Sequence, residues 1–411
     1  MEERLTVKSF GPVKELDITF KKVTVFIGDQ GTGKSCIAKL FSMFKWLEKE
    51  LMLQRQKASY YEQYNRFQTK LCAYHRIESF LDETTYIHFA GINYTFTYKN
   101  LSFHIHENES GDSIVPKIMY VPAERSILSV AENKSKLMKE LPDSCDAFFD
   151  EFSEAKKAFK AGYDLPFGDL HYEYDLLNDT SKISGTGYTE RPVKLSNASS
   201  GIQAALPLCL VSEYLSDKVA SREETKQSKE ERDRLEKRVA EIMGNDNYTA
   251  SVKDMMLKQL SSLNRYGCFI NIAEEPELNL FPKSQMGVIS SLIAANSKTG
   301  GNMLVITTHS PYSLAILNLL LLASKTYEKA EDDKTRMAVD EIVDSRFHIS
   351  SDELAAYNLS EGTGGTYCRS IINETTGFIS KNDLDTISGE ITRKFNALYK
   401  IYGTSTKQSN S

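Results

Sequence analysis

Apolar and polar residues alternate through the opening of the chain. Leu5, Val7 and Phe10, then Leu16, Ile18 and Phe20, then Val23, Val25 and Ile27 keep a period of two, which predicts three short strands punctuated by a turn at Gly11-Pro12. Beyond a glycine-rich loop the period changes. Ile37, Leu40, Phe41, Phe44 and Leu47 fall on one helical face. Residues 50–80 are polar and aromatic and read as a continuation of helix. Residues 84–106 alternate again as strands, and 114–121 form a continuous apolar strand. Residues 126–165 read as mostly helical and 178–194 as loop, with Gly185 and Gly187. A further helix is expected over 204–216. The stretch 217–243 is dominated by charge and predicts a solvated helix or a short coiled hairpin, with another helix over 252–264. Cys268–Ala273 and Leu304–Thr308 are unbroken apolar strands. Short strands around Tyr357 and Ile371 and an amphipathic helix over Leu384–Tyr399 close the chain. No internal repeat is visible.

Buried strands alternating with helices around a glycine-rich loop predict an α/β fold with a mostly parallel core sheet. The opening strands predict an antiparallel side sheet. The expected division is an N-terminal lobe over 1–125, a helical insertion over 126–190 and a segment over 191–216 that opens a helix. A charged helical insertion over 217–265, a second core lobe over 266–345 and C-terminal strands with an end helix over 346–411 follow.

Composition adds exclusions. With 41% hydrophobic and 26% charged residues, the 411-residue chain can build a sizeable core, and its net charge of −6 argues against a basic nucleic-acid wrapper. The six cysteines show no CxxC spacing, so buried reduced thiols in a reducing cytoplasm are expected. The opening MEERLTVKSF lacks the layout of a signal peptide. The longest apolar run, Leu314–Ala323, is broken by Asn318 and is too short to span a bilayer. The expectation is a cytoplasmic protein without membrane partners.

Four elements carry chemistry. Gly28-Asp29-Gln30-Gly31-Thr32-Gly33-Lys34-Ser35 fits the phosphate-loop pattern at every fixed position, between an apolar strand and a helix. Its glycines let backbone N–H groups face phosphates at a helix N-terminus. Lys34 is then placed for the β- and γ-phosphates, and the Ser35 hydroxyl for Mg²⁺. Second, the strand in FINIAEEPELNLFP (269–282) delivers Glu274, suited to hold Mg²⁺ through water, and Glu275, suited to polarise an attacking water. Third, Thr308-His309-Ser310-Pro311 ends another apolar strand, and His309 suits a γ-phosphate sensor. Fourth, Lys194–Gln203 sets small residues before an apolar helix, a second candidate anion site.

In this order the elements resemble the ABC-type ATPases, and more narrowly the branch with the SMC, RecF and OLD proteins. The resemblance implies a P-loop ATPase head using ATP and Mg²⁺. Gly28–Ser35 with Cys36 then corresponds to Walker A, Glu274 to the Walker B acid, Glu275 to the catalytic glutamate and His309 to the switch histidine. Ser199-Ser200-Gly201-Ile202-Gln203 matches the LSGGQ signature, making Ser199, Ser200, Gly201 and Gln203 nucleotide-binding candidates. It departs from that motif in having Ser199 for the leucine and Ile202 for the second glycine. Val121-Pro122-Ala123-Glu124-Arg125 looks like the segment found where a Q-loop is expected, so Glu124 or Arg125 is expected near the metal or phosphates. The EEPE wording of 274–277 is typical of the OLD-like branch.

The resemblance further implies a homodimer, able to assemble further, with each ATP sandwiched between the phosphate loop of one subunit and Ser200-Gly201 of the other. It is similar to the ATPase subunits of the Septu (PtuA), retron-associated and PARIS (AriA) anti-phage systems, which act with a separately encoded effector. A RecF-like DNA-binding ATPase of repair or recombination is the alternative, with DNA as its partner. No nuclease is expected in the chain. Asp332-Asp333 and Asp340-Glu341 follow no apolar strand, and His104 and His106 alternate without acidic or cysteine partners.

Overall fold

The computed structural model describes residues 2–109, 111, 114–130, 141–185, 191–222, 229–245, 248–263, 265–360, 366–380 and 382–408. The alternation at the chain's opening sets the architecture. β1 (Glu3–Phe10) and β2 (Val13–Phe20) pair antiparallel and join β4 (Tyr86–Ala90), β5 (Tyr94–Lys99) and β6 (Ser102–Glu107) in an antiparallel side sheet of order β2-β1-β4-β5-β6. β3 (Val23–Gly28) enters a different sheet, where Val23, Val25 and Ile27 pack into one hydrophobic cluster and Phe26 into another. A strand buried on both faces need not alternate, and here apolar Phe26 stands between Val25 and Ile27.

That core sheet has the order β15-β14-β3-β13-β12-β7. Its strands are β7 (Val115–Val121), β12 (Tyr266–Glu274), β13 (Met303–Thr307), β14 (Leu354–Leu359) and β15 (Cys368–Ser370). All neighbours run parallel except β15, which is antiparallel to β14. The fold is therefore α/β with a mostly parallel core sheet and an antiparallel side sheet.

Helix α1 (Lys34–Met52) fills the space between the two sheets. Its Phe41 stacks on Phe20 at 3.9 Å between ring centroids, and its Phe44 stacks on Phe89 and Phe96 at 5.2 and 5.4 Å. A buried ionic cluster locks it there. Lys45 Nζ lies 2.5 Å from both Glu3 Oε1 and Glu48 Oε2, and the other Glu48 oxygen accepts from Asn93 N at 2.6 Å. After α1 the chain does not stay a regular helix, as its composition had suggested. It makes the short α2 (Ala58–Glu62) and a π-helical turn at Phe67–Cys72. Left-handed residues Gln54, Tyr64 and Asn65 separate these pieces.

The segment 126–190 corrects the expectation of an all-helical insertion. It opens with α3 (Ser126–Val130) and α4 (Asp143–Ala158), then turns to strands: β8 (Tyr163–Asp164), β9 (Leu170–Asp175) and β10 (Thr180–Gly185). With β11 (Val193–Lys194) they form a third, antiparallel sheet of order β11-β10-β9-β8. Leu170, Tyr172 and Tyr174 point inward in alternation, a strand signal diluted by the aspartates around it. Thr180–Gly185, expected as loop, is therefore strand. Residues 186–190, with Gly187, lie outside the described residues.

On the far face of the core sheet lie α5 (Ser200–Ala220), α8 (Pro282–Ser297) and α9 (Pro311–Lys329). The charged stretch after α5 holds α6 (Lys229–Gly244) and α7 (Ala250–Leu263), packed on each other. α10 (Asp333–Ile342) and the end helix α11 (Asp383–Gln408) complete the chain. Among the described residues no helix is long and apolar enough to cross a membrane.

One buried group makes the fold sensitive to acid. His75 is 1% exposed, its ring edge-on to those of Tyr74 and Tyr120. Burial, and then the Lys39 charge, push its pKa down to about 3. As pH falls below about 6.5 the unfolded chain takes up this proton first, so stability present above that pH is progressively lost down to the folded value. We expect this site to cost about 2 kcal/mol at pH 5. Denaturant titrations between pH 7 and 5 should show a steeper loss for the wild type than for His75→Phe.

Candidate functional site

The phosphate-type loop is shaped by close backbone approach. Gly28 ends β3 at φ +148°, and a Cβ there would lie 2.1 Å from the carbonyl oxygen of Leu359 on the neighbouring strand β14. Gly33, at φ +82°, caps the N-terminus of α1. Within the loop the Thr32 hydroxyl donates to Asp29 O at 2.7 Å, and the Tyr367 hydroxyl donates to Thr32 O from outside it. Tyr367 had no sequence motif to mark it. Gly28→Ala should cost about 1–3 kcal/mol and displace the loop. A fall in denaturation midpoint checks this, with a smaller loss expected in Gly31→Ala, where a Cβ meets no atom within 4 Å and only the strain of φ +76° is added.

Lys34 is 6% exposed and curls over the loop, donating from Nζ to Gly28 O at 2.8 Å and Asp29 O at 2.7 Å. Burial lowers its pKa against the opposing pull of Glu275, Asp29, Glu277 and Glu274. Asp29, Gln30 and Gly31 are exposed at the loop tip, and Ser35 is half-buried on the first turn of α1. The Cys36 thiol is turned into the core and pushed up to about 11 by burial. Its side chain is packing, and only its backbone is available to a phosphate.

β12 lies between β7 and β13 and carries the acidic pair out of the sheet. Glu274 is 4% exposed. Its Oε2 accepts from Ala123 N at 3.4 Å, and the buried Tyr120 hydroxyl faces the carboxylate. Glu275 follows at φ +41°, a left-handed conformation costly for a non-glycine residue, held by its N–H donating to Thr307 O at 2.9 Å. Its Oε1 lies 3.6 Å from His309 Nε2, with both side chains about one-third exposed. The structure thus brings together Lys34, Glu274, Glu275 and His309.

Sequence reading passed over Glu277, the last carboxylate of EEPE. Its Oε1 accepts from the Thr308 hydroxyl and from His309 N, both at 2.7 Å, and burial raises its pKa. It fixes the backbone that presents the histidine. Ser310 then caps α9 by accepting from Tyr312 N.

Arg125 is fully buried and meets the acidic pair through its backbone. Its Nε donates to Ala204 O at 2.9 Å, Nη1 to Pro122 O at 3.1 Å and Glu274 O at 2.6 Å, and Nη2 to Glu275 O at 2.6 Å. It is a structural clamp joining the backbone of the acidic pair to α5. Glu124 is exposed beside it.

The signature-like segment forms the N-terminus of α5. Ser199 is the N-cap residue but makes no side-chain cap bond, and Ser199 and Ser200 are exposed. Gly201 is buried, and a Cβ there would lie 2.6 Å from Asn279 O, so the absence of a side chain lets α5 abut the segment that follows the acidic pair. Gln203 is half-buried. Its Nε2 donates to Leu195 O, Ser196 O and Ala198 O, bracing its own turn.

Among the described residues no group of three or more His, Cys, Asp or Glu side chains could hold a metal ion. One buried carboxylate near Lys34 and Cys36 of a phosphate-type loop instead suits a hard cation that takes its remaining ligands from phosphates and water.

No protein-family model matches the chain, and no curated protein sequence does. Solved structures do show likeness. An SMC head bound to the C-terminal winged-helix domain of ScpA aligns over 91% of this chain and 98% of its own, at 10% identity and a TM-score of 0.38. The SMC head domain of Thermotoga maritima aligns over 90% and 98%, at 12% identity and a TM-score of 0.34. A Pyrococcus furiosus Smc head with an extended coiled coil, bound to the C-terminal domain of ScpA, aligns over 90% and 96%, at 11% identity and a TM-score of 0.31.

Proposed function

We propose that the chain binds ATP with Mg²⁺ and hydrolyses it in a site completed by a second copy. The observation that carries this reading is the convergence of Lys34 with Glu274, Glu275 and Glu277 at the strand ends beside the glycine loop. The helix N-terminus and loop N–H groups of 28–36 bind phosphate. Lys34 exchanges the Gly28 and Asp29 carbonyls for phosphate oxygens. The Ser35 hydroxyl and Glu274 hold Mg²⁺, which supplies charge neutralisation at the phosphates. Glu275 orients and deprotonates the attacking water, and His309 donates to the γ-phosphate. Ser199, Ser200 and Gly201 bind the partner's nucleotide, because exposed serines with free helix N-terminal N–H groups are anion acceptors.

Its role, on the sequence resemblance, is that of a regulatory ATPase of an anti-phage system, with ATP-driven closure relayed to a separately encoded nuclease or toxin. Co-purification of such a neighbour supports that role. Salt-sensitive, ATP-dependent DNA binding without a protein partner would favour the RecF-like alternative instead.

Calorimetric titration tests the nucleotide reading. ATP should bind in Mg²⁺ and more weakly in EDTA, and Ser35→Ala should weaken the Mg²⁺-dependent part roughly tenfold, the equivalent of one hydrogen bond to a charged group. Affinity indifferent to Mg²⁺ and to Ser35 would remove the serine and Glu274 from the metal site.

A further inference from the structure

A second cavity, of about 320 Å³, opens beside α1 between that helix, β7, α4 and the π-helical turn. Its volume suits a small organic molecule rather than a peptide. Its walls are aromatic: Trp46 from α1, Tyr60 and Tyr61 from α2, Tyr74, and Tyr120 from β7. One buried polar atom there, His75 Nδ1, has no hydrogen-bond partner among the described residues, whereas the Tyr120 hydroxyl faces Glu274. Buried polar groups of a folded protein are ordinarily paired, so His75 Nδ1 is a candidate ligand contact. Exposed Lys70 stands at the rim, 2.9 Å from the Tyr60 hydroxyl. Arg66 lies 3.9 Å above the Tyr60 ring.

We propose that this cavity is a binding site for a small planar aromatic anion, its ring stacked among the tyrosines and Trp46, one ring hydrogen-bonding group on His75, and its negative charge beside Lys70. Aromatic walls select a flat ring, and the cationic rim selects an acidic substituent over a neutral one. Burial keeps His75 neutral near pH 7, so the pocket floor carries no charge and the anion is held at the mouth. The site is also placed to influence the nucleotide site, a consequence that rests on the function proposed above. α1 begins at the phosphate loop, and Tyr120 lies next to Val121 on the strand that leads to Ala123, whose N–H meets Glu274.

Trp46 is the only tryptophan of the chain, so the cavity contains its own reporter. The probe is 1-anilinonaphthalene-8-sulfonate, an aromatic amine with a flat naphthalene ring system and one negative charge, titrated into the full chain without nucleotide while energy transfer from Trp46 is followed. The expected result is saturable one-to-one transfer, weakened at least severalfold by Lys70→Ala and abolished by Ala147→Phe, which fills the cavity from α4. Lys70 is exposed, so its variant keeps the test decisive even if Ala147→Phe does not fold. No saturable transfer, or transfer unchanged in both variants, overturns the site. Because no ATP is present, that failure would leave the ATPase reading untouched. Loss of ATP binding would likewise leave this result standing.

Discussion

Glu275→Gln should slow ATP hydrolysis by roughly 10²–10⁴-fold, the usual contribution of a positioned general base, while leaving ATP affinity within a few-fold of wild type. The amide keeps the size of the side chain and can still accept a hydrogen bond, but it cannot take the proton of the attacking water. Geometry favours Glu275 over its two neighbours for this task. Glu274 is buried with one oxygen facing Ala123 N, and Glu277 is committed to Thr308 and His309, whereas Glu275 is one-third exposed and 3.6 Å from His309. Its left-handed backbone directs the side chain out of the sheet. Single-turnover hydrolysis measured beside calorimetric binding separates the two effects. Equal losses in both would make Glu275 a binding residue instead.

The second large effect is structural. Arg125→Ala should destabilise the protein by about 3–5 kcal/mol, because it removes a fully buried cation and strips the carbonyls of Ala204, Glu274 and Glu275 of guanidinium donors they cannot replace from water. Burial depresses the guanidinium pKa to about 10, still well above neutrality, so the group stays charged where it sits. Arg125→Lys should recover only a minor part, since one compact ammonium cannot span carbonyls on three separate segments as the planar fork does. Urea midpoints of the three proteins check the order. Hydrolysis in the alanine variant should fall further than its folded fraction accounts for, because the backbone carrying Glu274 and Glu275 loses its anchor to α5. Full activity per folded molecule would show that the clamp stabilises without positioning.

Arg125 also shows where sequence reading reached its limit. Beside Glu124 it read as a charge facing the metal or phosphates, because nothing local tells a buried arginine from an exposed one. Its partners are backbone carbonyls on β12 and α5, far along the chain. The Gln203 amide turns back on its own loop, a contact that spacing does not encode either. The phosphate-type loop and the acidic strand were legible because strand, loop and helix are contiguous and glycine positions are dictated by backbone geometry. The core sheet was legible because strands buried on both faces leave unbroken apolar runs. The third sheet was missed because β8 and β11 are two residues each and β9 and β10 are rich in charged and polar side chains. Glu277 and Tyr367 act through long-range contacts to His309 N and Thr32 O, which no spacing encodes.

The central claim is that two copies close around ATP, and molar mass by light scattering tests it most directly. Wild type and Glu275→Gln are measured with Mg²⁺, with and without ATP. The account predicts an increase in mass on adding ATP, largest and longest-lived in Glu275→Gln, where the nucleotide persists unhydrolysed. An unchanged mass in every condition, with ATP shown to be bound, would contradict ATP-driven closure.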